Sequence, residues 1–138
     1  MTLDHTIRRA YIDTLLDGGF TRLQDRTSDS INPTEGYIIG GVTEPSTMYD
    51  NVSPNPTVHY AQFKKLWGKY DVLLDEHKDT YRMYKYTAGL GIGTWIHEGK
   101  IYFDLVQHLY NLEIATREAK KRGEIAIYDC KNQKDLLL

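Results

Sequence analysis

Residues 89–106, GLGIGTWIHEGKIYFDLV, decide the fold. Glu98-Gly99 stands between two runs rich in β-branched and aromatic residues, which is the pattern of a hairpin closed by a short turn. A two-residue loop places His97 opposite Lys100, Ile96 opposite Ile101, Trp95 opposite Tyr102, Thr94 opposite Phe103 and Gly93 opposite Asp104. Because successive side chains alternate between faces, Ile92, Thr94, Ile96, Ile101, Phe103 and Leu105 share one face, and Trp95, His97, Lys100, Tyr102 and Asp104 share the other. The first face predicts core. The second is aromatic, hydrogen-bonding and charged, and Gly93 leaves open floor beside Asp104.

Helical spacing flanks this hairpin. Ile7, Ala10, Tyr11 and Leu15 predict a first helix, capped at Thr2 or Asp4 and stopped at Gly18, after which Gly19 lets the chain turn into an extended run over 20–24. The polar stretch 25–34 predicts a loop, and GYIIGGV at 36–42 a strand. Three of the four prolines fall in 43–57, which reads as a surface loop without a regular element. Phe63, Leu66, Trp67, Tyr70, Leu73 or Leu74, and His77 predict the longest helix over about 60–78. A last helix over 111–122, with Leu112, Ala115 and Ala119 inward and Gly123 as its stop, is followed by a closing strand from Glu124. The order α, β, β, α, β, β, α, β predicts one α+β domain over 1–138 with a mainly antiparallel sheet.

At 138 residues and a formal charge of −2, the chain is long enough to bury a core and lacks the basic balance of a general nucleic-acid or anionic-membrane binder. Cys130 is alone, so no internal disulfide forms, and no apolar run of membrane-spanning length or signal peptide appears; the expected home is the cytoplasm of the host cell. Eleven Tyr against 3 Phe and 2 Trp suit half-buried surfaces and interfaces, so at least a homodimer is expected.

Chemical motifs are sparse. GLGIG lacks the GxGxxG spacing and does not open a helix, which argues against a phosphate cradle. His97, Asp104 and His108 do not show a metal-ligand spacing, and Ser28, Ser30 and Cys130 lack a nucleophile's surroundings. No cofactor and no catalytic dyad is predicted. The better candidate is a recognition site: Phe20, Trp95 and Tyr102 as a shelf for a planar ring, Asp104 beside them, and Arg22, Arg26, Arg117 and Arg122 as planar forks for phosphate or carboxylate. The alternative for the same residues is aromatics packed under the 60–78 helix and arginines on a solvated face.

The stretches GGFT at 18–21, TEGYIIG at 34–40, GTWIHEGKIYFDL at 93–105 and NLEIATREAKKRGEIAIYD at 111–129 resemble a family of small proteins of bacteriophages and other mobile elements. Members often carry Gln before the final strand, where this chain has Glu124, and the segments 43–58 and 79–89 look like additions. By size and layout the family is similar to phage Thoeris anti-defence proteins, sponges for the cyclic ADP-ribose signal of host TIR-domain enzymes. The resemblance implies a non-enzymatic protein that binds and sequesters such a signal. Two other classes fit the sequence: an inhibitor that docks on a host defence enzyme, through 43–57 for example, and a nucleotide-processing enzyme using Asp104 or His97 as acid or base.

Overall fold

The computed structural model describes residues 3–24, 29–42, 45–51, 55–82 and 87–138. The elements run α1 (Leu3–Asp17), β1 (Gly19–Gln24), β2 (Asp29–Ile31), β3 (Tyr37–Ile39), β4 (Thr47–Asp50), α2 (Pro56–Arg82), β5 (Thr87–His97), β6 (Lys100–Leu109), α3 (Leu112–Lys121), β7 (Ala126–Asp129) and β8 (Lys134–Leu137). Every strand pairing is antiparallel. The sheet order is β2-β1-β5-β6-β3-β7-β8, with β4 also on β6, and the fold is α+β as the sequence predicts.

The hairpin has the expected register, from His97 opposite Lys100 to Gly93 opposite Asp104. Glu98 and Gly99 both take positive φ, 50° and 76°, which matches the turn to the right-handed twist of the strands. Ile92, Ile101 and Phe103 are fully buried and Thr94 and Leu105 nearly so, while Ile96 packs on the edge of the same cluster.

All three helices lie on that face. Helices α1 and α2 contribute Ile7, Ala10, Phe63, Trp67, Tyr70 and Leu74 to the main cluster, and α3 packs Ala115 and Ala119 on Ile39, Leu109 and Ile127. Ile101, Phe103, Leu105 and Leu109 have the same parity along β6, so among the described residues no helix packs on the opposite face, which carries Tyr102, Asp104 and Val106.

Several details differ from the sequence reading. In α1 the inward stripe ends on Thr14, fully buried, and Leu15 is 40% exposed. Thr14 wins the position because its hydroxyl meets that of Thr94 at 2.6 Å and also donates to the Ala10 carbonyl. Thr2 lies outside the described residues, and Asp4 falls within the helix. Gly18, at φ 85°, ends α1; Gly19 is already in the strand, pressed close to the Thr94 carbonyl. Leu112 is 40% exposed, on the flank of the Ala115–Ala119 stripe.

The segment 43–57 does sustain structure. Strand β4 runs through it, and α2 starts at Pro56, longer at both ends than the apolar spacing suggests. Proline suits the first helical position because its missing N–H has no partner to lose there, and the Asn55 side chain caps the Thr57 and Val58 amides at 3.0 and 3.4 Å. Short strands β2 and β8 also replace expected loop and chain end.

A candidate ligand site at a break in the sheet edge

Strands β3 and β4 share one edge of β6. β3 pairs with Gln107–Leu109 and β4 with Lys100–Phe103, which leaves Asp104 at the break between them. The chain crosses the break through Gly40 and Gly41; Gly41 has φ 69°, a conformation glycine takes without strain. The segment before β7 approaches the same point from the far side of β3, and it delivers Arg122 and Glu124.

Two carboxyls converge on Gly40. A Cβ there would lie 2.5 Å from Glu124 Oε1 and 3.0 Å from Asp104 Oδ2, so only glycine lets both groups come so near. Asp104 Oδ1 accepts the Ser46 hydroxyl at 2.6 Å and the Gly41 N–H at 3.2 Å, and the Trp95 indole, on the same face across the hairpin, helps to lower the same carboxyl. The Gly40 backbone amide lies near enough to Glu124 to lower its carboxyl. Arg122 closes the other side: Nη1 donates to the Gly40 carbonyl at 3.2 Å and Nη2 to Gln107 Oε1 at 2.6 Å, with the Glu118 carboxylate 3.9 Å away.

The electrostatics follow from burial. Asp104 is 5% exposed; desolvation raises its carboxyl above the ordinary range against three hydrogen bonds that lower it. Burial, and then the Asp104 carboxylate beside it, push Glu124 up to about 7, although Arg122 and the Gly40 N–H pull the other way. Two neighbouring carboxyls that are both costly to charge titrate as a pair, so near neutral pH the break can both offer a proton and accept hydrogen bonds.

An aromatic surface adjoins the pair on the helix-free face. Trp95 and Tyr102 are cross-strand neighbours with ring centroids 4.8 Å apart, and His97 lies 5.2 Å from Trp95. All three are partly open to solvent, and Met48, opposite Tyr102 on β4, is 45% exposed. Asp104 lies two residues beyond Tyr102 on the same face of β6, opposite Gly93, which sets the surface beside the carboxyls. No family model, curated protein or solved structure matches this chain.

Of the residues expected from the sequence to form a site, Trp95, Tyr102 and Asp104 share the helix-free face, whereas the Arg122 guanidinium is held by the Gly40 carbonyl and by Gln107, which has the parity of the helix-covered face. Phe20 is not among them. It is 2% exposed, 6.1 Å from the Trp67 ring, and pairs with Thr94 on the helix-covered face, so it is core and not a shelf. Arg22 faces the same side as Phe20, where its Nη1 lies 3.3 Å from Asp71 of α2 in a hollow also lined by Val72, Asp75 and Glu76. Arg117 is exposed on α3, on the helix side of the sheet. Arg26 lies outside the described residues.

Glu124, Gly40, Ser46 and Gln107 were not legible as site residues.

Proposed function

We propose that the protein binds and sequesters, without cleaving, a small nucleotide-like signal of the cyclic ADP-ribose class, and thereby acts as a counter-defence protein of bacteriophage type. The observation that carries this reading is the arrangement of Trp95 and Tyr102, half open on the helix-free face, with Asp104 beside them on that face and Glu124 meeting it over Gly40. A planar base stacks on aromatic rings regardless of its hydrogen-bonding pattern, and the charged cluster fixes what is attached to it. The resemblance supplies the class of ligand.

Isothermal calorimetry with cyclic ADP-ribose isomers, followed by chromatography of the recovered ligand, tests the proposal. Saturable binding with intact ligand returned is the expected result. No uptake of any isomer removes it and points to a protein partner.

One observation favours a second reading, a nucleotide-processing enzyme. A glutamic acid titrating near 7 beside a second carboxyl is placed to give or take a proton. Ligand recovered in altered form from the same experiment selects that reading.

A further inference from the structure

We infer that the break in the sheet edge is a hydroxyl-recognition site, in which Glu124, backed by Asp104, accepts the vicinal hydroxyls of a ribose whose base lies on Trp95 and Tyr102. This rests on the binding reading above and specifies which part of the ligand the carboxyls meet.

The hydrogen-bond inventory points this way. Asp104 Oδ1 is already engaged by Ser46 and Gly41, whereas Oδ2 is turned toward Gly40 and Glu124. Glu124 is the more exposed of the two carboxyls and so the one a ligand reaches. Both are acceptors when ionised, and a protonated Glu124 donates as well as accepts, so a hydroxyl, which does both, suits either state. A phosphate placed there would face two carboxyls, and the nearby guanidinium is held by Gly40, Gln107 and Glu118. A cation would meet Arg122 as a like charge. Neutral hydroxyls satisfy the acceptors without either penalty, and a carboxylate can accept two of them.

The position of the shelf agrees. Asp104 follows Tyr102 on the same face of β6, and Met48, Tyr102 and Trp95 lie side by side across β4, β6 and β5, so a flat ring on the aromatics has Asp104 at its edge.

The test is calorimetric titration of the wild type and of Glu124→Gln with adenosine and with 2′,3′-dideoxyadenosine, with melting curves to verify that the variant is folded. Adenosine is expected to bind the wild type at least 10-fold more tightly than the dideoxy analogue, and Glu124→Gln to weaken adenosine by about 10-fold while leaving the analogue unchanged, each tenfold step being about 1.4 kcal/mol. Equal affinities of the two nucleosides for the wild type overturn the inference and leave the binding reading standing. Failure of adenosine to bind, together with failure of cyclic ADP-ribose, overturns both. The comparison between ligands needs no variant, so a misfolded Glu124→Gln does not decide the outcome.

Discussion

Asp104 and Glu124, twenty residues apart in the chain, bring their carboxyls to within 3.0 Å of one point above Gly40. They arrive from different directions, Asp104 at the gap that β3 and β4 leave along β6 and Glu124 from the turn before β7. The Gly41 amide donates to Asp104.

Their proximity makes stability depend on pH. Folding raises Glu124 from the ordinary value of 4.5 to about 7, so its contribution is fully present below 4.5 and is lost as pH rises through 7, where the folded chain has to release a proton from a crowded site. Allowing for solvent screening at a partly open group, the loss is about 1–2 kcal/mol. Glu124→Gln should abolish most of this slope between pH 5 and 8, read as urea midpoints across pH. An unchanged slope would show that the carboxyls are not coupled.

The glycines of β5 differ in what surrounds them. A Cβ at Gly91 would collide with the Arg22 carbonyl, a backbone atom, whereas one at Gly93 meets a methyl of Val106 at 2.6 Å. Gly91→Ala should therefore cost more than Gly93→Ala, about 3 kcal/mol or above against about 1–2, because a side chain yields and a paired strand does not. Chemical denaturation of the two variants makes the comparison.

The turn can be improved. Glu98 sits at φ 50°, where Asn is better tolerated, and Gly99 follows at 76°. Glu98→Asn should raise stability by about 0.5 kcal/mol and Gly99→Ala lower it by about 1 kcal/mol, both measured by thermal melts.

The buried hydroxyl pair of Thr14 and Thr94 fixes α1 on the sheet at 2.6 Å. Valine at either position removes this bond while the remaining hydroxyl keeps a backbone carbonyl, Ala10 for Thr14 and Phe20 for Thr94, and a double-mutant cycle should return a coupling of about 1 kcal/mol. A coupling near zero would mean that α1 is held by the packing of Ile7, Ala10 and Tyr11 and by the Tyr11–His59 hydrogen bond.

Where the sequence was readable, local pattern and long-range structure agreed. Glu98-Gly99 between alternating runs carries its own register, and Ala115 and Ala119 their own helix face. β2, β4 and β8 are three or four residues long, DSI, TMYD and KDLL, with no apolar alternation; they are strands because β1, β6 and β7 supply partners. The same limit hid the site. Gly40, Ser46, Gln107 and Glu124 converge only once two strands divide one edge, whereas Trp95, Tyr102 and Asp104 already shared a face in the hairpin. Phe20 was misassigned because its place beside a glycine turn suggested an opening, while its pairing with Thr94 puts it under α2.

The most direct measurement of the proposed site uses its indole. Trp67 is fully buried and Trp95 is partly open, so Trp67→Phe leaves Trp95 as the only tryptophan emitter. Titrating this variant with cyclic ADP-ribose should quench the emission saturably if the base stacks on Trp95, and adding Glu124→Gln should shift the midpoint to higher ligand concentration. Emission that stays flat while calorimetry on the same sample registers binding would place the ligand elsewhere on the molecule and contradict the assignment of the site.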